Sequence, residues 1–222
     1  MCGRFTLTAD PEELRQALPW LNLPEGGQPR YNIAPSQPVA VVPNDGQNRL
    51  DYYVWGLVPS WSKTPDAGSR MINARAETLA EKPAFRAAFR RRRCLVLADG
   101  FYEWMQTPGQ KNKTPMYIRL ASGKPFAFAG LWERWESPDG SALLSCTIIT
   151  TSPNTLMQPI HNRMPVILPE DAYTQWLTPG DTDITRLAAL LQPYPAEAMQ
   201  AHPVSTLVNS PANDLPTCVV PA

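Results

Sequence analysis

Cys94-Leu95-Val96-Leu97-Ala98 is an unbroken apolar run. It is too short for an ordinary helix and has the make-up of a strand buried on both faces. Similar runs follow at residues 117–120, 126–131 and 143–151, with Pro138-Asp139-Gly140 as the turn before the last. Upstream, residues 38–42 and 50–57 read as two strands joined through Asn44-Asp45-Gly46. Residues 204–208 read as a strand closing the sheet. Helices are expected around this core. Asp10-Pro11-Glu12-Glu13 carries a cap, a first-turn proline and a capping-box glutamate, so a helix should run to Leu18. Others are expected at residues 83–89, with Phe85 and Phe89 on one face, and at 169–177 and 183–191. Strands dominate the middle and helices lie at the ends and between them, which argues for one α+β domain over residues 1–222.

Composition agrees with a packed domain. Hydrophobic residues make up 43% and charged residues only 18% of 222, outside the disordered range. The 25 prolines are scattered, as expected for short elements joined by stiff turns. No apolar run is long enough to span a bilayer, and Met1-Cys2-Gly3-Arg4-Phe5 does not read as a signal peptide. A soluble protein of a reducing, cytoplasmic compartment is expected. The cysteines (Cys2, Cys94, Cys146, Cys218) lie far apart with no CxxC pair, so neither a disulfide framework nor a zinc site is expected. Cys94 and Cys146 read as small core residues. The formal net charge is zero, which provides no global field for nucleic acid. Arg70, Arg75, Arg86 and the run Arg90-Arg91-Arg92-Arg93 nevertheless form a local basic block, either a helix end or part of a phosphate track.

Cys2 is the most distinctive candidate. If Met1 is removed, Cys2 carries a free α-amine and a thiol on one residue. An α-amine with a pKa of about 7.7–8.0 is partly neutral at pH 7 and attacks aldehydes. The thiol can then add to the imine carbon and close a five-membered thiazolidine. The bland alternative is a chance cysteine at the second position. Glu103 lies among aromatics in Asp99-Gly100-Phe101-Tyr102-Glu103-Trp104, surroundings that raise a carboxyl pKa and suit it to proton transfer; otherwise it is a strand-edge glutamate. His161, in Pro159-Ile160-His161-Asn162-Arg163-Met164-Pro165, is an acid/base candidate on a loop, whereas His202 reads as structural. Asn73 could donate to a reacting oxygen or amine, or be a turn residue. Trp61 is expected to be exposed on the loop spanning residues 55–69.

Together these segments resemble the SRAP family, the SOS-response-associated peptidases that crosslink to abasic DNA. The resemblance runs through Cys2-Gly3-Arg4-Phe5, Tyr31-Asn32-Ile33-Ala34-Pro35, Trp55-Gly56-Leu57-Val58-Pro59-Ser60-Trp61 and Ile72-Asn73-Ala74-Arg75-Ala76-Glu77-Thr78. It continues through Gly100-Phe101-Tyr102-Glu103-Trp104, Phe128-Ala129-Gly130-Leu131-Trp132-Glu133, Thr147-Ile148-Ile149-Thr150-Thr151 and Ile160-His161-Asn162-Arg163-Met164-Pro165, and ends at Pro203-Val204-Ser205 and Val208-Asn209.

The resemblance implies an α+β fold with a strongly curved, barrel-like, mainly antiparallel sheet and flanking helices. It implies that Cys2 is the crosslinking nucleophile, Asn73 positions it, Glu103 shuttles protons and His161 opens the sugar. Thr150 would bond the opened sugar, Arg4, Arg75 and Arg163 would hold phosphates, and Trp61 would stack on a neighbouring base. The implied partner is single-stranded DNA or a single-strand/duplex junction carrying an abasic site, met by a monomer with no cofactor, no metal and no membrane role. The protein would be of bacterial type and would join the nucleoid when bound to DNA. Strand cleavage through the Schiff base would be a side activity. Two departures stand out: Ser62 replaces a second tryptophan found in some members, and Leu97 replaces a common proline. Two other classes stay open. One is a cysteine peptidase using Cys2 and His161, acting on the Met1–Cys2 bond or more broadly. The other is a non-covalent single-strand-binding module that needs the arginines and Trp61 but not Cys2.

Overall fold

The computed structural model describes residues 2–24 and 26–222. The strands are β1 (Phe5–Leu7), β2 (Arg30–Ile33), β3 (Pro38–Pro43), β4 (Asp51–Trp55), β5 (Asn73–Arg75), β6 (Arg93–Ala98) and β7 (Gly100–Met105). They continue as β8 (Thr114–Leu120), β9 (Phe126–Glu136), β10 (Ala142–Thr151), β11 (Met164–Pro165), β12 (Ile167–Leu168) and β13 (Met199–Pro203). The helices are α1 (Pro11–Ala17), α2 (Arg86–Arg91), α3 (Tyr173–Trp176) and α4 (Ile184–Ala189).

The run from Cys94 to Ala98 is buried along its whole length inside β6, because it has a neighbour on each side. β6 pairs with β3 and β9, β3 with β4, β4 with β10, and β10 with β9. The ladder returns to its start, so these five strands form a closed ring and none of them is an edge. Only the β4–β10 pairing in the ring is parallel. The second sheet is antiparallel, in the order β13-β8-β7-β1-β2. The α+β class and the barrel-like, mainly antiparallel sheet are as expected.

Side chains alternate along the ring strands as the pleat requires. Val39, Val41, Val96, Phe128 and Ile148 join Phe5, Phe101 and Ile118 of the second sheet in one apolar cluster. Their neighbours Ala40, Val42, Leu95, Leu97, Ala129 and Ile149 join Phe89, Trp176 and Leu187 from the helices in another. Phe5 is the hinge between the sheets. Its ring meets Trp55 at 5.1 Å and Phe128 at 5.8 Å, edge-on, which fixes the segment that carries Cys2.

Helix α1 starts through the expected capping box: Asp10 accepts from the Glu13 N–H, and the Glu13 carboxylate accepts from the Asp10 N–H. Three other expectations need correction. The expected helix at 83–89 is instead α2, shifted toward the C-terminus, because the Lys82 carbonyl first accepts from Phe85 and Arg86 in a turn. The strand expected from residue 50 to 57 ends at Trp55, since Gly56 adopts φ 134° and its backbone packs onto Gly68. A Cβ there would lie 2.6 Å from the Gly68 carbonyl oxygen. The last strand is β13 and not residues 204–208. The Ser205 side chain accepts from the Leu207 N–H and turns the chain into a short 3-10 segment, Thr206–Asn209.

The arginine run divides by burial. Arg93 is fully buried and spends all five N–H donors inside the protein, on the carbonyls of Phe89, Arg90, Trp176 and Thr178 and on the Thr182 hydroxyl. It caps the carbonyl ends of α2 and α3. Arg90 and Arg91 pair with Asp181, and Arg92 with Glu133. Arg93 is thus a structural clamp, and the other three arginines are ion-paired.

Candidate functional site

Cys2 lies fully buried just before β1, where the second sheet leans on the ring. Its thiol approaches the Arg4 carbonyl at 3.8 Å, and that carbonyl also accepts from Tyr102 N–H of β7. Burial raises the thiol pKa, and the neighbouring Glu103 carboxylate raises it further.

Asn73 reaches Cys2 from the ring side. β5 runs parallel to β10, with Asn73 beside Ile148 and Arg75 beside Thr150. The preceding carbonyl, Ile72, accepts from the Ile148 N–H and from the Trp55 indole, which fixes the register. Asn73 Nδ2 donates to the Cys2 carbonyl at 2.7 Å. Its Oδ1 is buried and accepts from no described group, which leaves an acceptor beside Cys2.

Glu103 lies on β7, opposite Met116 of β8 and beyond the Gly100–Phe101 stretch that pairs with β1. It is 3% exposed. Alternation explains the aim: Phe101 packs into the cluster that holds Cys2, while Tyr102 and Trp104 pack on the opposite face. Burial raises the Glu103 carboxyl pKa, with His161 opposing that shift. His161 follows a compact turn whose Met157 and Ile160 are core residues. The Arg163 N–H donates to His161 Nδ1 at 3.0 Å, and the Arg163 carbonyl lies 3.2 Å from the same nitrogen, so the Arg163 backbone holds the ring. Cys2, Asn73, Glu103 and His161 therefore converge from four separate segments.

Thr150 and Arg163 adjoin this cluster. Thr150 is buried, with Oγ1 3.5 Å from the Ala74 carbonyl. Arg163 donates to the Thr150 carbonyl at 2.6 Å and grips Glu77 through two parallel bonds of 2.6 and 2.9 Å. Arg75 is exposed one residue beyond Ala74. Trp61 is 66% exposed, and Trp135 anchors its loop by donating to the Ser62 carbonyl.

Arg4 has a different setting. Its Nη1 donates to Asn32 Oδ1 and to the Val208 carbonyl, both at 2.7 Å, and its guanidinium lies 5.8 Å from the Trp104 ring centre. Asn32 is a residue to which sequence reasoning gave no role. It is fully buried, and its amide donates to the carbonyls of Val208, Ser210 and Asn213, drawing the C-terminal strap against Arg4. Glu77 was also passed over. Both lie inside quoted motifs, and a polar residue buried in the otherwise apolar Tyr31–Pro35 stretch was the available signal for Asn32. No group of three or more His, Cys, Asp or Glu suited to a metal ion occurs among the described residues. No described helix is long and apolar enough to cross a membrane.

Residues 1–211 match the family described as SOS response associated peptidase (SRAP). The chain is 50% identical over 222 residues to the abasic site processing protein YoqW of Bacillus subtilis, covering 99% of each. It is 33% identical to the abasic site processing protein HMCES of Xenopus tropicalis over 264 aligned residues, covering 99% of this chain and 78% of that one. Among solved structures, a Bacteroides thetaiotaomicron protein superposes with a TM-score of 0.87 at 27% identity, covering 100% of both chains.

Proposed function

The chain belongs to the SOS response associated peptidase family, and from that premise we propose that it processes abasic sites in single-stranded DNA by covalent capture at Cys2. The observation that carries the reading is the placement of Cys2 against the Asn73 amide and a buried carboxyl, Glu103, whose pKa is raised. The names of the relatives, abasic site processing proteins, support the same substrate.

An abasic deoxyribose exists mostly as a closed ring and reacts as its open aldehyde. His161 promotes opening by moving a proton at the ring oxygen. The α-amine of Cys2, bared once Met1 is lost, adds to the aldehyde carbon. Met1 lies outside the described residues, so its removal belongs to the proposal. Loss of water from the carbinolamine needs a proton on the departing hydroxyl. A buried carboxyl whose pKa is raised keeps a proton closer to neutral pH and suits that task. The thiol then adds to the imine carbon, its proton goes to the imine nitrogen, and the thiazolidine closes. The net change is loss of one water, and hydration in reverse releases the DNA. Elimination from the imine before ring closure would cleave the strand. Arg75, Arg163 and Arg4 contribute positive charge for the flanking phosphates, and Trp61 offers a face for a base.

Burial of the Cys2 thiol also bears on the peptidase alternative. A thiol hydrolase attacks as thiolate, whereas burial opposes ionisation of Cys2. The Schiff-base route uses the amine first and needs no thiolate. An oligonucleotide with one abasic site separates the readings. Intact mass and a denaturing gel should show a protein lacking Met1, joined to the oligonucleotide with one water lost, and no adduct from Cys2→Ala. Peptide turnover without an adduct would favour the hydrolase. Salt-sensitive binding that ignores Cys2→Ala would favour a non-covalent module.

A further inference from the structure

The pair Arg163–Glu77 has a geometry that a phosphate-binding arginine would not need. A guanidinium has five N–H donors, and phosphate is best gripped by two parallel ones. In Arg163, Nη1 and Nη2 both point at the Glu77 carboxylate, and Nη2 also serves the Thr150 carbonyl. Nε is buried with no partner among the described residues. No open pair of parallel donors remains while Glu77 is in place. Glu77 itself is 52% exposed at the side chain, whereas Arg163 is 17% exposed. The arginine is fixed from behind, and the carboxylate can swing into water.

We infer that Glu77 masks Arg163 as a displaceable stand-in for a DNA phosphate, making it a specificity-determining residue that weakens binding to undamaged strands. The inference rests on the single-stranded-DNA reading above. A phosphate reaching Arg163 must push the carboxylate aside, so contact costs one ion pair for each one gained. A covalent trap tolerates this, because lesion capture does not depend on tight reversible binding. Undamaged strands, which form no bond, bear the full cost. Glu77 lies on the 3-10 segment Ala76–Thr78 directly after β5, so the mask sits on the same rigid edge that carries Asn73.

The test measures binding of a fluorescent undamaged oligothymidylate by the full chain and by Glu77→Gln, Glu77→Ala, Arg163→Gln and the double variant Glu77→Gln/Arg163→Gln, across salt. Glu77→Gln should bind about 2–5-fold tighter at low salt, the range for a partly exposed ion pair. Its log–log salt slope should steepen by about 0.7, the value for one more single-strand phosphate neutralised. Glu77→Ala should behave alike, and the Glu77→Gln gain should vanish in the Arg163→Gln background. If binding by both Glu77 variants equals or falls below wild type, or the slope is unchanged, Glu77 merely holds Arg163 in place and the inference is overturned while the DNA reading stands. If wild type and all variants fail to bind the strand, and wild type forms no adduct with abasic DNA, the DNA reading falls and this inference with it.

Discussion

Replacing Arg93 with methionine separates the two readings of the arginine run. Methionine keeps the unbranched stem but supplies no N–H. Four carbonyls and one hydroxyl, those of Phe89, Arg90, Trp176, Thr178 and Thr182, lose their donor at once. A buried acceptor left without a partner costs about 1–3 kcal/mol. Several of these groups lie near the surface and can recruit water, and removing a desolvated cation offsets part of the loss. A net loss of roughly 3–5 kcal/mol is therefore expected. Unfolding entropy of about 2.1 cal/mol/K per residue, over 222 residues, converts this to a Tm drop of about 6–11 °C. Arg90→Met and Arg91→Met, each removing a surface partner of Asp181, should stay within about 0.5 kcal/mol of wild type. Differential scanning calorimetry gives the Tm values, and urea titration gives the free energies. A drop below about 2 °C for Arg93→Met, or an equal drop for all three, would refute the clamp. So would an altered salt slope for strand binding in Arg93→Met, since a buried arginine releases no counterions.

Three further outcomes are expected. Glu103→Gln should slow adduct formation roughly 100- to 10,000-fold, read by denaturing gel under single-turnover conditions. Because the folded pKa of Glu103 lies above its unfolded value, the native state binds the extra proton between the two. Wild-type stability should therefore decline as pH rises from the ordinary carboxyl value through the raised one. Glu103→Gln should lack that decline, as urea titrations at several pH values would show. Asn73→Ala removes the 2.7 Å bond to the Cys2 carbonyl and should lower the adduct rate about 5- to 100-fold with a modest loss of stability; an unchanged rate would remove Asn73 from the site. Trp61→Ala should weaken strand binding by about 1–3 kcal/mol and leave Tm nearly unchanged, because the ring is 66% exposed. A large Tm loss would show that the ring packs rather than stacks.

What the sequence revealed divides by the range of the interaction. The α1 capping box is complete within Asp10–Glu13, and the strand at Cys94–Ala98 announces itself by unbroken apolarity. Ring closure does not, because it depends on the parallel pairing of β4 and β10, which are some ninety residues apart. Strand β5 is only three residues long and owes its form to β10. The four arginines at 90–93 show the same limit: identical in sequence, they separate into one buried clamp and three ion-paired groups once the strand register of β6 is set. For the site, the position of Cys2 raised aldehyde chemistry as one candidate beside a chance cysteine, and family resemblance favoured the first. The placement of Asn73 and His161 beside it came from family resemblance, since no local pattern ties residue 2 to residues 73 and 161. Asn32 and Glu77 were missed because their partners, the Val208 carbonyl and Arg163, lie far along the chain.

The bond from Arg4 to the Val208 carbonyl spans 204 residues. Cys2 and Arg4 are synthesised well before Val208. During synthesis the segment bearing Cys2 is without the strap, β7 and β10 that hold it in the folded protein. A chain ending before Val208 would lack the carbonyl that anchors Arg4, two residues from Cys2.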